Sequence, residues 1–419
     1  MIARTATLCV LMVATPVFSQ TPADMPPQVV DLAGVLKLAT DANPRLALEQ
    51  QNLAVARAER RTAGALPNPA VSYTRSRQPG ESTNFDGPLS REWSIEQPIP
   101  LPGQRSSRVK AADLGIDAAN ARIAAMGNEL AADAGAAYVA LLAAQEKQAL
   151  LTASLHDLRQ LRDVVAGRNA SGMASEYDVL RVDVELADWR ARVAEADADL
   201  IDRQGQLAVL LGFPSWRPLG RADELHPRSL QSNAPEAKEH PALAAARREE
   251  AAAQANVVVA HRERLPNLSV NTGQFWTTQP YGRTHIVGLA VEVPLFDTRR
   301  GAYDKARAEA KSAGWRRTLV EAQVRADVER YAAQVRERTA ALEEFRQQVE
   351  PRLPALRRMA DDAYRLGRSS IAELLDAARA SHETGLNRID LIANLLEAQL
   401  RLRAARGELT TAELTTSGP

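Results

Sequence analysis

One arrangement of prolines occurs twice in the chain and limits what it can fold into. In the first copy, Leu66–Pro69 ends a helical pattern and Pro98–Pro102 precedes a longer one, while Pro266 and Pro294 stand at the matching places in the second. A proline lacks the N–H that a helix interior requires, and it disfavours helical backbone in the residue before it. Each copy therefore predicts a helix, a β-hairpin and a second helix.

Between these prolines, apolar and polar residues alternate. Val71 and Tyr73 alternate with Ser72 and Thr74, and the same period continues in the second copy. A period of two residues is typical of a strand with two different faces. The sequence thus predicts hairpins at about 70–97 and 268–293. Turn-forming residues are expected at the hairpin tips, namely Pro79-Gly80, Asp86-Gly87-Pro88 and Pro280-Tyr281-Gly282.

Long helical patterns follow both hairpins. Residues from about 104 to 165 contain no proline and predict a rod of about 90 Å at 1.5 Å per residue. A turn at Gly167–Gly172 then leads into a returning helix that ends near Leu211. Apolar residues at steps of three and four predict a narrow packing stripe along the rod, made of Ile123, Met126, Leu130, Ala134, Ala137 and Leu141.

The second half repeats this plan. We predict a helix at about 247–264, a second rod at about 300–366 with Pro351 and Pro354 near its far end, a turn at Gly367 and a returning helix at 370–409. Matching landmarks lie about 195 residues apart, which indicates a duplicated unit. The predicted organisation is a first repeat at 20–212, a linker at 213–240, a second repeat at 241–409 and a flexible tail at 410–419.

The N-terminus has the pattern of a secretory signal peptide. Arg4 precedes an apolar run from Leu8 to Val17, and small residues follow, which predicts a signal peptide at 1–19. Cys9 is the single cysteine and lies inside that run, so we expect no disulfide and no lipid-bearing cysteine in the mature protein. No later stretch has about 18 consecutive apolar residues, the length of a membrane-spanning helix.

Composition and motifs exclude several classes of function. The 52 basic and 52 acidic residues balance, so no bulk charge favours nucleic acid as a partner. Aromatic residues make up only 4% of the chain, as expected of close-packed Ala- and Leu-rich helices. The sequence has no nucleophile elbow, phosphate loop or zinc motif, and its six histidines are scattered. We therefore expect no enzyme activity, no cofactor and no metal site.

Four strands per chain present a physical problem. A sheet of four strands has open edges, and four are too few to close a membrane barrel. Several chains must therefore contribute if the strands cross a membrane. Two copies would give eight strands and three would give twelve, and the residues alone do not choose between them.

The duplicated plan, the segments Leu66–Pro69 and Gln97–Arg105, and the turn motifs 172–180 and 367–377 resemble the TolC-like family of outer-membrane efflux ducts. The resemblance implies a mainly α fold with a small β part: a homotrimer whose twelve-stranded barrel in the outer membrane continues as a long periplasmic α-helical barrel. It also implies a periplasmic adaptor (membrane fusion protein) and an inner-membrane pump as partners. The two proline-rich segments look most like the branch that serves heavy-metal cation pumps.

The resemblance also marks residues at the helix turns. It implies that Glu373 and Asp376 narrow the periplasmic entrance as rings of carboxylates, and that Asp178, Tyr364 and Arg368 link neighbouring turns. Family members commonly have arginine where this chain has a serine, at 369, and Arg368 stands one position earlier. Helix capping is the competing interpretation for Glu373 and Asp178, because each is the fourth residue of a Ser-x-x-acid motif. Core packing for Tyr364 and a solvated turn for Arg368 are the alternatives there.

A different class of protein also fits the pattern. A secreted, elongated helical adaptor or adhesin would act through protein contacts and would span no membrane. Its hairpins would then be soluble lips at the end of the rods. Fractionation with outer membranes distinguishes this alternative from a channel.

Overall fold

The computed structural model describes residues 26–41, 43–77, 89–226, 239–278 and 282–409. The helices are α1 Leu32–Asp41, α2 Pro44–Gly64, α3 Gln104–Ala170, α4 Glu176–Leu211, α5 Pro241–Arg262, α6 Arg300–Gln348, α7 Leu353–Arg365 and α8 Ile371–Ala405. The strands are β1 Val29–Val30, β2 Ala70–Arg77, β3 Leu89–Ile99, β4 Leu219–Gly220, β5 Asn267–Thr277 and β6 Arg283–Glu292. The predicted signal peptide with Cys9, most of each hairpin tip, the linker segment 227–238 and the tail lie outside the described residues.

Local capping chemistry sets the ends of the helices. Asn43 accepts a hydrogen bond from the backbone N–H of Arg45 and Pro44 is the first residue of α2, so the chain breaks between α1 and α2. Helix α3 has 67 residues and extends about 100 Å. The turn that was predicted to begin at Gly167 begins four residues later, because Gly167 stays within α3.

The second rod is not continuous, contrary to the sequence prediction. Helix α6 ends at Gln348, a 3₁₀ turn spans Glu350–Arg352, and α7 begins at Leu353. Pro351 and Pro354 account for the break, since neither can donate the backbone hydrogen bond of an uninterrupted helix. The two halves therefore share a plan, but only the first contains an unbroken rod.

The main core surrounds the middle of α3. Leu130, Tyr138, Leu141 and Leu142 are each at most 1% exposed, and α1, α4, α5 and α8 pack against the same helix. Near these residues the buried surface covers most sides of α3, so the predicted narrow stripe is wrong there. Close packing on several sides requires small residues, which explains the alanines of this segment.

The described part of the predicted linker belongs to this core. After α4, β4 pairs in parallel with β1, and Trp216 is only 2% exposed. The Trp216 indole N–H donates to the carbonyl oxygen of Pro27 at 3.2 Å, and the Tyr138 hydroxyl lies 2.7 Å from a carboxylate oxygen of Glu224. Residues 213–226, which follow the first repeat, therefore bind the segment before α1 at the start of that repeat.

The two hairpins form one sheet. Its strand order is β2-β3-β5-β6, all neighbours are antiparallel, and pairing between β3 and β5 joins the hairpins. All four junctions with α2, α3, α5 and α6 lie at one end of the sheet, and the pairs Arg77–Leu89 and Trp276–Arg283 lie at the other. Strands β2 and β6 are the edges, and each pairs on one side only.

The register separates the side chains of this sheet into two chemically different faces, because directly paired residues point to the same side. One side, the apolar face, carries most of the large apolar residues: Val71, Tyr73, Trp93, Ile95, Ile99, Leu268, Val270, Trp276, Val287, Leu289 and Val291. The other side, the polar face, carries mostly small and polar residues, including Ser72, Thr74, Ser90, Glu92, Ser94, Glu96, Asn271, Gly273, Gly288 and Glu292.

The apolar face is uncovered in the single chain. Val71 is 73% exposed and Val287 is 79% exposed. A contiguous apolar surface of this kind indicates contact with lipid or protein. Across the described ranges, no helix has a segment that is both long and apolar enough to cross a membrane.

Candidate functional site

The two helix turns farthest from the sheet lie side by side. The first joins α3 to α4, and the second joins α7 to α8. A hydrophobic cluster holds them together, with Leu158, Val165 and Val182 from the first repeat and Ile371 and Leu375 from the second. The duplicated fold thus brings the five residues that the resemblance marks to one end of the molecule.

Asp178 occupies a helix-capping position. Ser175 Oγ accepts from the backbone N–H of Asp178 at 3.1 Å, and the Asp178 carboxylate accepts from the backbone N–H of Ser175 at 3.0 Å. Both halves of a capping box are therefore present at the start of α4. In the single chain, this contact uses the carboxylate that the family resemblance assigns to a link between neighbours.

The corresponding start of α8 is capped differently. Ser370 Oγ accepts from the backbone N–H of Glu373 at 3.3 Å, and the Glu373 carboxylate lies 3.4 Å from that same hydroxyl. Only the serine half of a capping box is present, so the Glu373 carboxylate stays exposed. Asp376, one turn later, has a side chain that is 68% exposed and lies 3.8 Å from a guanidinium nitrogen of Arg379.

Tyr364 is packed inside the turn. It is 7% exposed, the guanidinium of Arg168 lies 4.9 Å from its ring centre, and Arg168 also donates to the Tyr364 carbonyl oxygen at 3.1 Å. Burial raises the pKa of Tyr364, the positive charge of Arg168 opposes that rise, and the nearby charge of Asp178 adds to it. Arg168 thus joins the two turns within one chain, a contact that the sequence analysis missed.

Arg368 lies at the tip of the second turn. Its backbone N–H donates to the carbonyl oxygen of Ala363 at 2.8 Å, which closes the end of α7 around Gly367. Its side chain is exposed, and among the described residues it has no ion-pair or hydrogen-bond partner. Arg368 follows Tyr364 by four residues, and in the single chain its side chain forms no bond with Asp178.

Arg379, the ion-pair partner of Asp376, also pairs with the buried Glu185. The Glu185 side chain is 5% exposed, and both of its oxygens accept from Arg379. The Trp189 indole N–H donates to Glu185 at 2.9 Å. Burial alone would raise the pKa of Glu185, but the hydrogen bonds from Arg379 and Trp189 outweigh burial and lower it.

The sequence analysis missed this pair, because Glu185 and Arg379 are 194 positions apart. The spacing Glu185-x-x-x-Trp189, which places the two side chains on one helix face, was the only local hint.

Next to Trp189, His382 is 3% exposed, its ring lies 4.3 Å from the indole, and its Nδ1 lies 3.1 Å from the Ser154 hydroxyl. Burial lowers the pKa of His382, and the positive charge of Arg192 adds to this effect.

An exposed amphipathic sheet, joined at one end to helices of up to 67 residues, defines a class of protein: a subunit of a membrane channel whose wall continues as a helical duct. The sequence profile of the outer membrane efflux protein family matches residues 35–213 and 236–408. The chain belongs to this family. It is an outer-membrane efflux channel, with its sheet in the outer membrane and its helices in the periplasm. Family membership favours this function over a secreted adaptor or adhesin.

Two metal-resistance proteins are among its relatives. The chain is 26% identical to the cobalt-zinc-cadmium resistance protein CzcC of Cupriavidus metallidurans over 383 residues, which cover 88% of this chain and 87% of CzcC. It is 25% identical to the nickel-cobalt-cadmium resistance protein NccC of Alcaligenes xylosoxydans xylosoxydans over 68% of this chain and 64% of NccC.

Solved structures show the same fold. The crystal structure of CusC matches with a TM-score of 0.75 at 17% identity, covering 90% of this chain and 91% of CusC. The outer-membrane channel OprN matches with a TM-score of 0.73 at 21% identity and covers 90% of each chain. The helical duct with its small sheet is therefore the family fold.

Proposed function

We propose that three copies of the chain close a twelve-stranded barrel and that the resulting duct exports heavy-metal cations. A periplasmic adaptor and an inner-membrane pump would deliver the cations to its periplasmic entrance. CzcC and NccC, to which the chain is similar, are named for resistance to cobalt, zinc, cadmium and nickel, and this similarity supports heavy-metal cations as the cargo. Three copies would supply twelve strands, which is within the range of membrane barrels, whereas the four strands of one chain cannot close.

The observation that carries the proposal is the separation of charge in the sheet. Within the described strands, every charged residue of the polar face is an acid, namely Glu92, Glu96 and Glu292. On the apolar face, every charged residue is an arginine, with one histidine. If the apolar face contacts lipid, the carboxylates line the lumen, and three chains contribute nine.

Carboxylates along a narrow aqueous path lower the energy of cations and raise that of anions. The proposed duct is therefore cation-selective over the length of its barrel. At the opposite end, Glu373 and Asp376 would form rings of carboxylates at the entrance. Asp178, Tyr364 and Arg368 would link neighbouring subunits there, and the exposed Arg368 side chain is the group best placed to reach a neighbour.

Ion selectivity in planar bilayers tests the barrel assignment. Glu92→Gln with Glu96→Gln should shift the reversal potential in a salt gradient toward a less cation-selective value. The matched control is Arg91→Gln with Arg283→Gln, which removes charge from the opposite face and should leave selectivity unchanged. A larger shift in the control would reverse the assignment of the faces.

Metal accumulation tests the cargo separately. A strain that lacks the protein should retain more cobalt, zinc or cadmium than its complemented parent. Normal metal retention together with a cation-selective channel would leave the duct in place and remove heavy metals as its cargo.

A further inference from the structure

Three arginines form one row across the sheet. The register aligns Arg75 with Arg91, Arg91 with Trp276, and Trp276 with Arg283, so one side chain from each of the four strands stands in the same row of the apolar face. Neighbouring strands are about 4.8 Å apart, which makes the row about 14 Å long. All three arginines are exposed, and the guanidinium of Arg91 lies 5.3 Å from the centre of the Trp276 ring.

This row is electrostatically unfavourable in the isolated chain. Arg75 and Arg91 are direct cross-strand partners, and like charges in that position destabilise a sheet. Among the described residues, no carboxylate pairs with Arg75, Arg91 or Arg283. The polar face holds the acids of these strands, and the sheet itself separates the two sets of charges. An anion bound from outside the chain would relieve this repulsion between the arginines.

The position of the row identifies where that anion comes from. The helices leave the opposite end of the sheet and lie in the periplasm, so the row lies toward the outer leaflet. The next row toward the helices contains Tyr73 and Trp93, and the rows beyond it are largely aliphatic down to Ile99. Aromatic residues mark the interface of membrane barrels, with the lipid hydrocarbon on one side and headgroups on the other. The arginine row is therefore at headgroup depth.

Arginine chemistry identifies the kind of headgroup. A guanidinium presents a planar fork of N–H donors that matches the oxygens of a phosphate, and several guanidinium groups in a row suit a doubly charged or doubly phosphorylated ligand. The aromatic and aliphatic rows beside the arginines would contact acyl chains of the same molecule. From this geometry we infer that Arg75, Arg91 and Arg283 bind the phosphates of the phosphorylated glycolipid, lipid A, of the outer leaflet.

Titration of the detergent-solubilised full-length protein with diphosphoryl lipid A, followed by native mass spectrometry, tests this site. Replacing Arg75, Arg91 and Arg283 together with glutamine should lower the apparent affinity at least about tenfold, since each lost charge-assisted hydrogen bond weakens binding. Replacing them with lysine keeps the charge but removes the fork, so the loss should be smaller. Lipid A without phosphates should bind the wild type as weakly as diphosphoryl lipid A binds the glutamine variant.

The matched control changes the same number of charges away from the sheet. Arg307, Arg316 and Arg336 are exposed on α6, and their replacement by glutamine should leave lipid binding unchanged. Equal affinity in the wild type and the sheet variant would overturn the proposal, as would an equal loss in the control. If inorganic phosphate alone competes as well as the phosphorylated lipid, the row is a general anion site and the inference of a lipid is wrong.

Discussion

Of Asp178, Glu373 and Asp376, Asp376 is the one whose carboxylate contacts no residue at a helix N-cap. Asp178 closes a capping box, and Glu373 lies against the hydroxyl of Ser370. Asp376 is one turn further into α8 and is 68% exposed beside Arg379. Since Arg379 is held by Glu185, it does not depend on Asp376 for its position. Removing the Asp376 charge should therefore change electrostatics without changing the fold.

For Asp376→Asn, we expect weaker cation preference and weaker block by multivalent cations in single-channel recordings. Amide and carboxylate have nearly the same shape, and surface ion pairs contribute only about 0–1 kcal/mol, so stability should hardly change. Asp304→Asn is a matched control, because Asp304 also lies 3.8 Å from an arginine of its own helix, near the sheet. Equal selectivity in Asp376→Asn and the wild type would remove Asp376 from the entrance.

The Glu185–Arg379 pair should be important for stability. Arg379→Ala leaves the carboxylate of Glu185 without its cation. Because the Arg379 side chain is 44% exposed and water screens the pair, the expected cost at neutral pH is about 1–3 kcal/mol. In the wild type, the lowered pKa of Glu185 stabilises the fold above the unfolded value of 4.5, and this contribution is lost as pH falls through the lower folded pKa. The difference in free energy of unfolding between Arg379→Ala and the wild type should therefore narrow below pH 4.5.

Thermal unfolding at neutral and acidic pH measures that gap. Arg365→Ala is the control, since Arg365 pairs with Asp361 in a surface ion pair of the neighbouring helix. A gap for Arg379→Ala that is independent of pH would show that lost packing, and not the charge of Glu185, causes the destabilisation.

At the scale of elements, the two faces of β2 should respond oppositely to charge. Val71→Arg places a cation on the apolar face among aliphatic rows, at a cost of about 2–4 kcal/mol near the bilayer midplane. Ser72→Arg introduces the same side chain one residue away on the polar face and should be tolerated. The amount of folded protein in outer-membrane fractions measures both variants. Equal loss in the two would mean that the faces are misassigned.

The middle of α3 should be the least tolerant part of the helices. Leu141 is 0% exposed, and Leu141→Asp buries an unpaired charge at a cost of about 3 kcal/mol or more. Val164 is 51% exposed on the same helix, so Val164→Asp is the control and should be nearly neutral. Melting temperatures of the two variants test the packing, and similar values would contradict it.

The sequence predicts which helices and strands form better than it predicts which of them pack against one another. Prolines and periodicity locate both hairpins and the long first rod, because these features depend on local backbone chemistry. The pairing of β3 with β5 and the row of Arg75, Arg91 and Arg283 depend on long-range register, which periodicity does not contain. Pro351 and Pro354 stand near the far end of the second rod, but the sequence alone does not show that they divide it into two helices.

The candidate site likewise combines a local feature that the sequence predicts with long-range contacts that it does not. The capping role of Asp178 follows from a motif of four residues. The contact of Arg168 with Tyr364 and the pair of Glu185 with Arg379 join residues about 195 positions apart, one from each repeat. Such contacts form only because the duplicated units pack side by side, so they could not be predicted from local sequence.

At the scale of the whole molecule, the four-stranded sheet of one chain is incomplete by itself. A duplicated chain supplies four strands with two unpaired edges, β2 and β6, and an apolar face that no other part of the described chain covers. Unpaired edges and exposed apolar surface are both unfavourable in water. If several chains pair their sheets edge to edge in a bilayer, the strand edges are paired and the apolar face contacts lipid. The proposed trimer does so with twelve strands.

The subunit number of the conducting species tests this account most directly. Protein extracted from outer membranes should have the native mass of three chains, and the same preparation should form cation-selective channels in planar bilayers. A folded single chain that conducts ions, or a conducting assembly of two chains, would contradict it.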